Sequence, residues 1–155
     1  VVAAIAQPHT DPTLLGRLRA SAKEALSRCY PRYSGFMVVS AIETIGGEVF
    51  GGANVEIVNY SLTKHAEEAA VMAAIAAGAP LDGGPWLRTV YVVGAAPCGS
   101  CRQFLWEFAI HDAVVVVDNP YGSQEWIGYL RDMLPLPFNP DVLKDMRPGK
   151  PPPGL

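Results

Sequence analysis

An α/β sandwich built on a mixed sheet is the fold this sequence predicts, on three observations. Two apolar runs, Met37 to Ile45 and Glu48 to Gly52, flank the hairpin signal Gly46-Gly47. Beyond the hairpin, helical and strand-like segments alternate, as they do where helices cover a sheet. Half of the 155 residues are apolar and only 17% are charged. That is enough for one domain burying ~70% of the surface its unfolded chain exposes.

Each element has a local cause. Thr10, Asp11 and Pro12 read as a helix start, and Leu14, Leu15, Leu18, Ala22, Ala25 and Leu26 follow at helical spacing. This helix is expected to end near Cys29, before Pro31. After the hairpin, Asn54 to Thr63 is a polar loop leading into an alanine-rich helix, Lys64 to Ala77, stopped by Gly78 and Pro80. Gly83-Gly84-Pro85 marks a loop, and Thr89 to Val93 reads as a buried strand. Pro97 precedes a helix that starts at Cys98 and carries Phe104, Leu105 and Phe108, and Val114 to Val117 is a further buried strand. From Pro135 onward the chain holds seven of its 14 prolines. Residues 1–134 thus read as one domain, and 135–155 as a proline-rich tail packing on it or extending from it.

Composition narrows the function. A net charge of -3 with dispersed basic residues argues against an extended nucleic-acid partner and favours a small molecule. Val1 to Ala6 is apolar but short and lacks a charged leader, so no signal peptide is expected. No apolar run approaches membrane-spanning length. Three cysteines, two at metal-like spacing, suit a reducing cytoplasm better than a disulfide framework. The apolar composition of so small a domain points to burial in a homo-oligomer.

The chemistry is concentrated in two short segments, His65-Ala66-Glu67 and Pro97-Cys98-Gly99-Ser100-Cys101. Cys98 and Cys101 can face one metal from the first turn of a helix, whose dipole stabilises the thiolates that bind it. His65 supplies a third ligand from the other helix. Three protein ligands with an open fourth position define a catalytic zinc. Glu67, two residues from His65, points to another side of its helix and can reach over the open position without binding the metal. Zinc-activated water supplies hydroxide at neutral pH, and Glu67 takes its proton, passes it to a ring nitrogen and then assists the departing amine. An aspartate is one methylene short for that reach. This inventory is the signature of the zinc deaminases. Two alternatives compete: a Cys-Gly-Ser-Cys redox pair, and a closed structural zinc with His9, Cys29 or His111 as fourth ligand.

With those residues in hand, the chain from Tyr33 to Phe138 resembles the small cytidine deaminases. The resemblance is carried by Tyr33-Ser34-Gly35-Phe36, Asn54-Val55-Glu56, His65-Ala66-Glu67, Pro97-Cys98-Gly99-Ser100-Cys101-Arg102-Gln103, and Leu134-Pro135 followed by Phe138. It implies a three-layer α/β/α sandwich around a five-stranded mixed sheet; the alternation of helices and strands itself puts the metal where two helix N-termini meet at the sheet edge. It also implies a homotetramer and hydrolytic deamination of cytidine or deoxycytidine. By matching position, Phe36 borders the base, and Asn54 and Glu56 hold the ribose hydroxyls. The Ala66 carbonyl orients the amine, the Cys98 N–H polarises the ring carbonyl, and Tyr60 and Phe138 approach the site.

Departures from the family pattern carry expectations of their own. Many small members have cysteine at the position of His65 and arginine at that of Glu68. A neutral imidazole here leaves two thiolates to balance the metal charge, so no arginine is needed. Arg102 is expected to donate to the thiolates or to form an exposed salt bridge. Val39 and Ser40 replace small residues and are expected to narrow the space beside the base, and Ile57 replaces a polar residue near the sugar loop. A modified aminonucleoside such as blasticidin is therefore an alternative substrate. The alternative of another class is a non-catalytic, zinc-stabilised binding or assembly module.

Overall fold

The computed structural model describes Pro8, residues 10–82, 84–121 and 123–139. Its first helix, α1 (Pro12–Ala25), begins where the sequence places it, with Asp11 accepting from the Leu14 N–H at 3.1 Å. A 3₁₀ turn, Leu26–Arg28, carries the chain to Cys29. Strands β1 (Val39–Thr44) and β2 (Val49–Ala53) form the hairpin, and Gly47 takes the positive φ of 85° that its turn requires.

Helix α2 (Ala66–Ala76) is shorter than the spacing predicts, because His65 is its N-cap and not a helical residue. The remaining elements are β3 (Leu87–Val93), α3 (Gly99–Trp106), β4 (Ala109–Asp118), β5 (Gln124–Tyr129) and the short α4 (Leu130–Met133). Helix α3 ends before Phe108, which packs edge-on against Phe104. Strand β4 begins earlier than the apolar run that predicts it, since its first residues include the exposed His111 and Asp112. The final described segment, 134–139, lies against α3. Gln103 pairs with Phe138 through both its backbone N–H and C=O at 2.9 Å, and Trp106 donates to Asn139.

The sheet order is β2-β1-β3-β4-β5, with only β3 and β4 parallel. Alternate residues of the central strands serve opposite faces, as the period of two requires. Ile42, Val90, Val92 and Val115 point to α2 and α3, whereas Val39, Ala41, Tyr91 and Val116 point to α1. The result is the three-layer α/β/α sandwich on a five-stranded mixed sheet.

Adjacent glycines on β2 set the separation of all three layers. A Cβ on Gly51 would lie 2.7 Å from the Ser21 carbonyl oxygen of α1, and one on Gly52 would lie 2.3 Å from both the Ala66 carbonyl oxygen and the Ala70 nitrogen of α2. Backbone blocks backbone there, so no side-chain movement relieves it. Gly52→Ala is expected to lift the start of α2 off the sheet and to cost about 3 kcal/mol or more, measurable by denaturant unfolding.

On the α1 face, Asp118 is buried and takes three hydrogen bonds on one oxygen, from Arg19 Nε (2.9 Å), an Arg19 terminal nitrogen (2.8 Å) and the Tyr91 hydroxyl (2.9 Å). Burial, then the bond to Asp118, pushes the Tyr91 phenol up to about 12. The unfolded chain loses that proton first, near the ordinary 10.0. Between those values the native state binds more protons, so stability falls as pH rises through the window. In Tyr91→Phe the fall over that range is expected to be shallower, and stability at neutral pH lower by about 1–2 kcal/mol for the lost donor. Chemical denaturation at pH 7, 10 and 12 measures both.

Candidate functional site

Register brings the site together. Val39 pairs with both Ala53 and Val93, so the segment entering β1 and those leaving β2 and β3 meet at one end of the sheet. There the Asn54–Glu56 segment is held on both sides. Tyr30 N–H donates to the Asn54 carbonyl and Glu56 N–H to the Tyr30 carbonyl, both at 2.9 Å, while Val55 pairs with Lys64 at 2.9 and 3.0 Å. The Lys64 pairing delivers His65 to the head of α2. Glu68 closes that end by accepting from the His65 backbone N–H at 3.0 Å, which gives Glu68 a structural purpose beside the charge argument.

Cys98 caps α3 and Cys101 lies in its first turn. His65 Nδ1 is 3.1 Å from Cys101 Sγ and 3.4 Å from Cys98 Sγ, and all the donor atoms of this trio lie within 4.8 Å of one another. Two helix N-termini thus converge on one point, as the sequence leads one to expect. Among the described residues it is the group of three or more donors able to hold a metal. Neither Cys29 nor His111 joins it. The Cys29 thiol faces the Val38 carbonyl at 3.6 Å, and the His111 carbonyl accepts from Arg131 at 3.2 Å. His9 lies outside the described residues.

The donor set fits zinc. Tetrahedral zinc with its usual nitrogen and sulfur bond lengths separates such ligands by about 3.5 Å, close to the spacing found. Burial, followed by the neighbouring Glu67 charge and the hydrogen bond with Cys98, pushes the Cys101 thiol far above its ordinary value. A thiolate at that point therefore calls for a cation beside it. Glu67, in the first turn of α2, is 3% exposed, and its burial raises the carboxyl above its ordinary range.

His65, Cys98 and Glu67 border a cavity of ≈ 260 Å³, with Cys101 buried behind its wall. His65, Ala66, Glu67 and Cys98 lie on its wall together with Phe36, Asn54 and Glu56, so the residues assigned to substrate from the sequence share one space. Asn54 is already engaged: its Oδ1 accepts from the Val38 N–H at 3.1 Å and its Nδ2 donates to the Phe36 carbonyl at 2.8 Å. One N–H and one lone pair remain for a ligand. Glu56 accepts from the Tyr33 and Ser34 N–H groups at 2.6 and 3.0 Å and from the Ser34 hydroxyl. The Ser34 hydroxyl, then the two amides, hold its carboxyl below the ordinary range.

Three expectations are corrected here. The Ala66 carbonyl faces Gly52 of β2, not the cavity. Ala66 is the first residue of α2, so it is its N–H that lacks an intrahelical partner. Arg102 donates to the Pro97 carbonyl (2.7 Å) and the Met133 carbonyl (3.1 Å), tying the loop before α3 to the end of α4 and leaving the thiolates alone. Val39 and Ser40 are buried within the sheet, Val39 against the α1 side and Ser40 donating to the Tyr91 carbonyl at 2.8 Å. Val38, one residue before the strand, lines the cavity instead. Ile57 lies next to Glu56, as expected, off the cavity wall, with its N–H donating to Thr63 Oγ1 at 3.3 Å. Sequence reasoning left Ser34, Thr63, Ala95 and Ala96 without roles, although all four line the cavity. Tyr60 and Phe138 are exposed, Tyr60 standing edge-on to Tyr33 at 5.6 Å.

An imidazole and two thiols converging beside a buried carboxylate are the equipment of a metal-dependent hydrolase. Comparison with known proteins makes the class specific. The family profile for the cytidine and deoxycytidylate deaminase zinc-binding region matches residues 15–117. A cytidine deaminase of Mycobacterium tuberculosis is 37% identical over 130 residues, covering 81% of this chain and 90% of that one. A longer cytidine deaminase of Shewanella loihica is 31% identical over 141 residues, which are 90% of this chain but 43% of that one. The crystal structure of cytidine deaminase from Burkholderia pseudomallei superposes with a TM-score of 0.72 at 36% identity, covering 79% of this chain and 98% of that one. The chain belongs to the cytidine and deoxycytidylate deaminase family and is a zinc-dependent hydrolase of that family. No helix among the described residues is long and apolar enough to cross a membrane.

Proposed function

We propose that this chain hydrolyses the exocyclic amine of cytidine or deoxycytidine, giving the uracil nucleoside and ammonia, with His65, Cys98 and Cys101 holding zinc and Glu67 carrying the proton. The observation that supports this reading most is a three-donor metal group, of which His65 and Cys98 line the same cavity as Glu67, a buried carboxylate outside the group. Zinc, when bound, supplies the Lewis acidity that makes hydroxide available near neutral pH. Glu67 accepts a proton from the attacking water and delivers it to the ring nitrogen as oxygen bonds to the amine-bearing carbon. It then assists protonation of the amine, so that the carbon–nitrogen bond breaks with ammonia as leaving group.

The other wall residues orient the nucleoside. Phe36 lies along the base, and Asn54 and Glu56 take sugar hydroxyls, which favours a plain ribose or deoxyribose over a bulkier aminonucleoside. The N–H groups of Ala66 and Cys98, at the starts of α2 and α3, polarise the ring carbonyl in this reading. A homotetramer belongs to the same reading. Phe36, Met37, Tyr60, Leu62 and Phe138 are large apolar side chains left exposed by one protomer around the site-forming segments. Unoxidised cysteine ligands suit the cytoplasm, and the product suits pyrimidine salvage.

Product analysis tests the reading. Zinc-loaded protein incubated separately with cytidine, deoxycytidine, cytosine and blasticidin is expected to form uridine and deoxyuridine. Turnover of blasticidin alone would overturn the substrate assignment, and no product at full zinc occupancy would favour a non-catalytic zinc module.

A further inference from the structure

Ser34 lies at the junction of the two walls that a nucleoside has to touch. Its hydroxyl oxygen accepts from the Phe36 N–H at 3.0 Å, so its single proton is free to go to Glu56, and it does. The N–H groups of Tyr33 and Ser34 converge on the other Glu56 oxygen at 2.6 and 3.0 Å. Gly35 makes this loop closure feasible. It sits at a φ of 72°, and its N–H donates to the Pro31 carbonyl at 2.9 Å, turning the chain so that the Phe36 N–H comes back over Ser34. On the far side, Asn54 holds the Phe36 carbonyl and the Val38 N–H. The loop is therefore fixed to the Asn54–Glu56 segment at both ends.

From this geometry we propose that Ser34 is a positioning residue that sets sugar recognition, by holding the Glu56 carboxylate in the one orientation that presents its remaining free lone pair to a ribose hydroxyl. The proposal rests on the reading of Glu56 as a sugar contact. A carboxylate on an unrestrained glutamate side chain samples several rotamers, and binding then has to order it. The Ser34 hydroxyl and the two amides do that ordering before substrate arrives. They take three of the four lone-pair sites and leave one, on the oxygen that Ser34 Oγ holds, for a hydroxyl donor. Through the Phe36 N–H, the same hydroxyl couples the base wall to the sugar wall.

The test compares steady-state kinetics of wild type, Ser34→Ala, Ser34→Thr and Glu56→Gln on cytidine, 2′-deoxycytidine and 3′-deoxycytidine, with zinc content and Tm recorded for each. Ser34→Ala is expected to raise KM for cytidine about tenfold with kcat nearly unchanged, because the lost interaction is made equally in the ground and transition states. The penalty should vanish on whichever deoxy analogue lacks the hydroxyl that Glu56 takes. Ser34→Thr, which keeps the donor, should restore the wild-type KM. An equal penalty on all three nucleosides, a fall in kcat at constant KM, or no rescue by threonine would overturn the proposal. An effect of Glu56→Gln on cytidine with none of Ser34→Ala would overturn the role of Ser34 alone. Wild-type kinetics in Glu56→Gln would instead remove the sugar contact on which the proposal rests.

Discussion

Glu67→Gln is expected to lower kcat for cytidine deamination by roughly 10²–10⁴-fold while leaving zinc content unchanged. Glutamine keeps the volume and one carbonyl oxygen of the side chain, so the buried first turn of α2 has no reason to repack. What it removes is the ability to take up and release a proton. Glu67 lies on the cavity wall and outside the trio that can hold the metal, so the metal group loses no donor. Metal analysis and single-turnover rates on the same preparation separate the two effects. Loss of zinc in this variant would recast Glu67 as a structural or ligating group, and unchanged turnover would remove it from the reaction.

The second large effect is on stability. Cys98 is exposed, so Cys98→Ala takes away a metal donor with little loss of packing. Zinc content is expected to fall from about one per chain to near zero. Metal that binds only the native state stabilises by about 4 kcal/mol at a free concentration a thousandfold above its dissociation constant. For a chain of this size that corresponds to a fall in Tm on the order of 10 °C. Chelation of the wild type should reproduce the shift, and chelation of Cys98→Ala should add nothing to it. Differential scanning calorimetry with and without chelator checks both. Full zinc occupancy in Cys98→Ala would contradict the ligand assignment.

Much of the site was legible because its chemistry is local in sequence. Cys98 and Cys101 share one helical turn, and His65 and Glu67 lie at the head of another. What was not legible depends on tertiary direction. Arg102 sits next to a ligand in sequence, yet its guanidinium runs back to Pro97 and across to Met133. A long flexible side chain goes where carbonyls are free, and spacing does not encode that. A changed motif points Val39 and Ser40 at the pocket. The strand they open is covered on both faces, so only the residue before it, Val38, reaches the cavity.

The same limit explains the elements the pattern missed. In β5 the first residues, Gln124, Glu125 and Trp126, are all exposed at the sheet edge, so no apolar alternation marks the strand. Its pairing with β4 is a non-local fact. The role of Ser34 is hidden from the sequence for a related reason. A serine in a turn has a local explanation, and its bond to Glu56 spans 22 residues of chain.

The most direct test of an open, catalytic metal centre is X-ray absorption at the zinc edge of the purified protein. One nitrogen, two sulfurs and one light atom from solvent is the expected first shell, with His65, Cys98 and Cys101 as its protein members. A shell of four protein ligands, or three sulfurs, would contradict an open site and with it the hydrolytic mechanism built on Glu67.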